Sequence, residues 1–227
     1  FMWTGYDYLG EAGIGTVQYK NRKTKQSVDP GLIISGGSGI IDICGKLRPE
    51  VGWGKIIWGL QSTPTLGVDP LTCTEYFQSL SMWRNTDAVE SWSWEGCEGR
   101  CTTATVYSDA AQVELLLNGK SLGKKRPKKD IVKFKKVPYE AGKLEAVAYD
   151  ASGKETGRAA LTSASGKTCI QLTPETTSLH ANGQDLCFLN IDLTGTDGIT
   201  KSSVDQNLKV EITGPATLQG YGSARPH

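Results

Sequence analysis

A chain of 227 residues is long enough to bury a core and holds one large domain, or two or three modules if they are β-sandwiches. Its 25 Lys and Arg against 24 Asp and Glu leave a net charge of +1, which supplies no global field toward nucleic acid or anionic membrane and argues against a dedicated nucleic-acid binder. Hydrophobic content of 38%, with no apolar run near the roughly 20 residues that span a bilayer, argues against an integral membrane protein, and two histidines cannot make a three-His metal site.

The chain opens on Phe1, and the residues that follow carry Asp7 and Glu11 with no basic n-region, so they do not read as a signal peptide and the chain is expected to start mid-protein. The compartment, cytoplasmic or secreted, stays open. Residues 1–88 are rich in aromatics and glycine. Phe1–Tyr8 reads as a short strand, and Leu32–Ile34 and Gly39–Ile43 as apolar segments between glycine clusters. Behind Pro49, the apolar residues Trp53, Ile56, Ile57 and Leu60 have helical spacing, opened by a proline, although Gly52, Gly54 and Gly59 dilute the signal.

From residue 89 to 165 the pattern turns to period two. Glu90–Trp94, Ala104–Tyr107, Gln112–Leu117, Val132–Lys135 and Leu144–Tyr149 read as strands with one buried and one solvated face. Asn118-Gly119, Ala141-Gly142 and Ser152-Gly153 supply hairpin chemistry, because Asn and Gly accept the positive φ of tight turns. Short strands at this spacing predict an immunoglobulin-like sandwich. Residues 166–227 repeat the theme with Cys169–Leu172, Leu186–Leu193 and Leu208–Ile212, split by Asp197-Gly198 and Gly214-Pro215. A domain of that type takes ~100 residues, so this second sandwich is expected to lack its last strand or strands.

The positive charge collects in the middle zone, in Lys124–Lys129 and Lys133–Lys136. With Phe134 the only aromatic interleaved there, the run reads as a solvated turn and strand face rather than a phosphate-contacting patch. Six cysteines are spread too thinly for a stapled mini-fold and leave the redox compartment open. Cys97 and Cys101 form either a hairpin disulfide or two free thiols, and Cys169 with Cys187 is a candidate pair across a sandwich edge. A zinc site would need two further ligands that no cluster supplies, so neither metal nor cofactor is expected.

Phe1-Met-Trp-Thr-Gly-Tyr-Asp-Tyr-Leu-Gly-Glu11 resembles the segment that ends the catalytic barrel of family 2 glycoside hydrolases, especially the β-galactosidase-type members. Gly39–Gly45 followed by Arg48-Pro-Glu50 is similar to the stretch leading into that barrel's final helix. Ser91–Gly96, Val106–Ser108, Val113–Gly123 and Gly142–Tyr149 resemble the sandwich appended behind the barrel. Leu172–Pro174, Ala181–Leu186 and Gly214–Ala216 resemble the next one. The resemblance implies a mainly β fold: two immunoglobulin-like β-sandwiches preceded by the C-terminal remnant of a (β/α)8 barrel, with boundaries at 1–88, 89–165 and 166–227.

The resemblance also bears on chemistry. Retaining glycosidases use two carboxyl groups about 5 to 5.5 Å apart, and in the family both stand on earlier barrel strands, so no catalytic residue is expected here and the chain alone should be inactive. Trp3 matches the aromatic that forms an apolar wall beneath the bound sugar. Tyr6, Asp7 and Glu11 are further candidates for substrate binding, since barrel sites are built at the C-terminal ends of the strands. Trp92 and Trp94 are a candidate sugar platform, with packing under a neighbouring domain as the blander reading. The implied partners are a β-galactoside-like glycan in the parent enzyme, the missing N-terminal barrel and a second copy of the chain. The alternative functions are a carbohydrate-binding module and a domain-interface or dimerisation module.

Overall fold

A computed structural model describes residues 18–21, 24, 27–28, 39–42, 45–71, 76–79, 86 and 88–222. They form strands β1 (Gln18–Asn21), β2 (Ser27–Val28), β3 (Thr65–Val68), β4 (Tyr76–Ser79), β5 (Cys101–Tyr107), β6 (Gln112–Leu117), β7 (Lys120–Lys125), β8 (Ile131–Pro138), β9 (Lys143–Tyr149), β10 (Glu155–Thr162), β11 (Cys169–Pro174) and β12 (Leu189–Thr194), with one helix, α1 (Glu50–Ile57). Every strand pair among them is antiparallel. The parallel pairing that a barrel remnant would bring is therefore not seen among the described residues. In the first zone β1 instead lies between β2 and β4 in a three-stranded sheet, an arrangement that antiparallel segments reach without a long crossover. The Phe1–Tyr8 strand and the Leu32–Ile34 segment lie outside the described residues.

Seven strands make the central sandwich. The sheet β3-β5-β8 faces the sheet β10-β9-β6-β7, and the period-two pattern becomes the core between them. Along β6 the burial alternates so that Val113, Leu115 and Leu117 point inward. Leu144, Ala146 and Ala148 do so from β9, and Ala104, Val106, Val132 and Phe134 come from the opposite sheet. Asn118 and Gly119 take φ of +50° and +79°, the primed turn their sequence predicts, and close the β6–β7 hairpin. Ala141-Gly142 does something different: β8 pairs with β5 and β9 with β6, so this Gly carries the chain from one sheet to the other. The Asn118 side chain steadies that crossing by donating to the Ala141 carbonyl at 3.2 Å and accepting from the Lys143 amide at 2.8 Å.

Helix α1 forms where the spacing predicts it, but it is shorter and buries a narrower stripe. Gly59 at φ +67° stops it, with the Gly59 and Leu60 amides turning back to the Ile56 and Lys55 carbonyls in a Schellman closure. Ile56 is buried, while Ile57, Trp58 and Leu60 are exposed. The helix lies against the outer face of β3 at very close approach. A Cβ on Gly52 would stand 2.0 Å from Thr65 Oγ1, and one on Gly67 2.6 Å from Pro49 Cγ. These glycines thus set the contact that joins the helix to the sandwich.

Beyond residue 166 the described structure is a two-stranded ribbon, β11 on β12, followed by irregular chain. Leu208–Ile212 does not form the strand its pattern predicts, because no strand beyond β11 and β12 stands beside it to take up its backbone groups. Cys97 is disulfide-bonded, whereas Cys101, Cys169 and Cys187 are free, so neither candidate pair forms. Cys97 turns into the core while Cys101 opens β5 at the surface. Cys169 and Cys187 stand near opposite ends of the ribbon, whose register sets Cys169 against Thr194 and Pro174 against Leu189.

Candidate functional site

Trp3, Tyr6, Asp7 and Glu11 lie outside the described residues. Trp92 and Trp94 are well placed, and both are in the core. Trp92 is 0% exposed and Trp94 5%. The Trp92 indole N–H donates to the Glu140 carbonyl at 3.0 Å, and its ring meets Tyr139 edge-on with centroids 5.0 Å apart. The Trp94 amide donates to the Tyr139 hydroxyl at 2.9 Å. A sugar platform needs an indole face open to solvent, and neither ring offers one. The platform reading rests on residue type alone; both rings belong to the hydrophobic core cluster.

A cleft of about 340 Å³ lies where α1, the segment leading into β3, and β10 meet. Arg48, Lys55, Gln61 and Glu90 supply its polar groups, and Leu66 and Leu161 are among its apolar ones. Gln61 Nε2 donates to Thr65 Oγ1 and to the Thr63 carbonyl, both at 2.9 Å. Desolvation raises the Glu90 carboxyl, and the charge of Lys55 opposes the rise. Glu90 is the one carboxylate among the described lining residues, and double displacement at a glycosidic carbon needs two. The cleft therefore cannot perform that reaction with the described groups. Its lining comes from segments more than a hundred residues apart, which no local sequence pattern reveals.

The carboxylates on the outer face of the larger sheet are held ionised. Glu114 accepts from Ser121 Oγ at 2.6 Å and Tyr149 Oη at 2.8 Å, with Lys124 Nζ at 3.3 Å. The Ser121 hydrogen bond is the largest of the causes that lower its pKa. Glu145 lies 2.8 Å from Lys143 Nζ and 3.1 Å from Arg158 Nη1, and the Lys143 hydrogen bond leads in lowering its pKa. A general acid at neutral pH needs the opposite shift, so both networks are structural. Among the described residues no group of three or more His, Cys, Asp or Glu could hold a metal ion. No helix among them is long and apolar enough to cross a membrane.

The outer side of the Trp92 segment forms the junction with the last module. Lys201 is 8% exposed, and its ammonium donates to the Gly166 carbonyl at 2.8 Å and reaches Glu95 at 3.4 Å. Ser91 and Ser202 share a hydroxyl–hydroxyl bond of 2.6 Å. The Ser202 amide donates to the Ser93 carbonyl at 3.2 Å, and Ser203 Oγ to the Glu95 carbonyl at 3.1 Å. Lys46 and Asp192 form an ion pair between the α1 region and the ribbon. Residues 91–95 thus have indoles on one side and a polar clasp on the other.

Known proteins resemble the chain along its whole length. Residues 170–227 match the family described as glycoside hydrolase family 2 C-terminal domain 5, and residues 99–157 match a domain of unknown function, DUF4982. The beta-galactosidase BoGH2A of Bacteroides ovatus is 24% identical over 227 residues, which is 100% of this chain and 22% of that protein. A putative beta-glucuronidase of Formosa agariphila is 29% identical over 170 residues, covering 72% of this chain and 13% of that protein. A crystal structure of a glycosyl hydrolase family 2 member from Bacteroides cellulosilyticus superposes with a TM-score of 0.68 at 31% identity, covering 87% of this chain and 26% of that one. The chain thus spans about a quarter or less of the length of each of these proteins.

Proposed function

The chain belongs to the C-terminal region of family 2 glycoside hydrolases, and on that premise we propose that it is the accessory part of a retaining, β-galactosidase-like enzyme acting on O-glycosidic bonds. The two reacting carboxyl groups come from residues outside these 227. The observation that carries the reading is the seven-stranded sandwich joined to α1 through Gly52 and Gly67. A helix that approaches a sheet so closely cannot slide or tilt without collision. The sandwich thereby holds the α1 region, and Trp3, Tyr6, Asp7 and Glu11, which lie outside the described residues, are assigned the role of substrate-wall residues toward a β-galactoside-like glycan.

A second role rests on a specific feature of the last module. Ile170 and Leu172 on β11 and Leu186 and Phe188 just ahead of β12 are all exposed, from 57% to 71%, on a ribbon too small to be stable by itself. Apolar groups so grouped mark a surface covered by another domain or a second copy of the chain. A free-standing carbohydrate-binding module has less support, since the Trp92 and Trp94 rings are in the core.

Deleting residues 89–227 from the full-length enzyme tests the accessory role. The expected result is a lower unfolding midpoint together with a raised KM for a nitrophenyl β-galactoside. Unchanged midpoint, oligomeric state and KM would overturn it.

A further inference from the structure

We propose that one edge of the central sandwich is a binding site for an acidic polysaccharide, a glycan bearing carboxylates along its length. The inference rests on the glycosidase reading for its context and on the following geometry for its substance. Strand β7 is the outer strand of one sheet and β8 the outer strand of the other, so the connection between them runs along a single side of the sandwich. Residues 124–136 carry eight Lys or Arg and one acid, Asp130, in a protein whose net charge is +1.

The cations divide into two groups by what they touch. Lys124 pairs with Glu114 and stands over the Tyr149 ring. Lys125 lies over the Phe134 ring and donates to the Lys133 carbonyl at 2.9 Å, bridging the two edge strands. One such lysine protects an open edge from pairing with another chain. Arg126, Lys128, Lys129, Lys133, Lys135 and Lys136 remain, all exposed, and none forms an ion pair with a described acid. Edge protection does not account for six more.

The patch is also rigid. Lys129 and Asp130 take φ of +53° and +61°, forming a tight turn closed by two hydrogen bonds between Lys128 and Ile131. The Lys129 carbonyl accepts from the Trp53 indole at 3.3 Å, and the Asp130 carbonyl from the Ser108 amide at 2.9 Å. This turn is thereby tied both to α1 and to the β5–β6 connection. Farther along β8 a bulge at Lys136, φ +59°, turns Lys135 and Lys136 outward in succession. A held array of cations loses less freedom on meeting a polyanion than a mobile basic tail does, and the planar Arg126 guanidinium suits a carboxylate. Phe134 is 3% exposed beneath Lys125, so no aromatic face is offered to a nucleic-acid base, which single-strand binding requires.

The test measures binding of the 227-residue chain to polygalacturonate, to its fully methyl-esterified form and to duplex DNA, beside the variant Lys128→Glu/Lys133→Glu/Lys135→Glu. These three side chains are exposed and none sits at positive φ, so the variant should keep the parent's unfolding midpoint. The expected result is binding of the acidic polymer that weakens steeply between about 50 and 200 mM salt, no binding of the ester, and a loss of roughly tenfold or more in the variant. Equal affinity of the variant, no binding at the lower salt, or tighter binding of duplex DNA would overturn the proposal. The assay involves no bond cleavage, so its failure leaves the glycosidase reading standing. Acid-polymer binding with no hydrolysis by the longer enzyme would keep the site and remove that context.

Discussion

Trp92 illustrates how a side chain's role follows from its surroundings. Its indole is fully enclosed, with its N–H satisfied by the Glu140 carbonyl and its ring in a T-shaped contact with Tyr139. Truncating it leaves a large void in a close-packed core, so Trp92→Ala should destabilise the chain by about 3 to 5 kcal/mol in urea denaturation, and a loss under about 1 kcal/mol would contradict the core assignment. Asn118-Gly119 was legible because the required positive φ belongs to the residues themselves. Gly52 and Gly67 were not, since what matters there is the nearness of Thr65 and Pro49, far away along the chain or across a helix–strand contact. Glu114 and Glu145 have lowered pKa values from their hydrogen bonds to Ser121 and Lys143. Their stabilising contribution is present above the unfolded carboxyl value and is lost as pH falls through the lower folded one. The double variant Glu114→Gln/Glu145→Gln should therefore lose less of its urea midpoint than wild type on going from about pH 7 to about pH 3; parallel losses would refute the assigned networks.

At the level of elements, the period-two pattern was sufficient wherever a strand had both an inward row to bury and a neighbouring strand to pair with. β6 meets both conditions and alternates as its sequence pattern predicts, whereas β9, paired between β6 and β10, is buried on both faces from Leu144 to Ala148. Leu208–Ile212 has the alternation without the neighbour, and remains irregular. α1 was readable from Pro49 and its apolar spacing, but its docked face was decided by glycines. Gly52→Val should lift the helix from β3, because branched carbons would occupy the space held by Thr65; the expected cost is about 1 to 3 kcal/mol with a red-shifted Trp53 emission, and an unaltered spectrum would count against the docking. The ribbon β11–β12 should exchange its amide hydrogens much faster than β6 and β9, since its residues are mostly exposed and local opening exposes little extra surface. Equal protection in hydrogen exchange would mean that something covers it.

Across the whole molecule, the polar clasp of Lys201, Ser202 and Ser203 on residues 91–95 joins the last module to the sandwich, and the glycine contacts join the sandwich to α1. Sequence made the mainly β architecture legible, along with its kinship to family 2 enzymes, because strand periodicity and several motifs are local. It left the cleft near Arg48 and Glu90 unseen, since that site assembles from distant segments. The candidate wall residues Trp3, Tyr6, Asp7 and Glu11 rest on family resemblance alone and lie outside the described residues. On the proposed reading this region supports chemistry performed by other residues. The most direct measurement is hydrolysis of a nitrophenyl β-galactoside by the 227-residue chain, run beside a form extended N-terminally through a complete barrel. Turnover in the extended form and none in the shorter one is the predicted result; turnover by the 227 residues alone would contradict it, because a working acid pair would then lie within the chain.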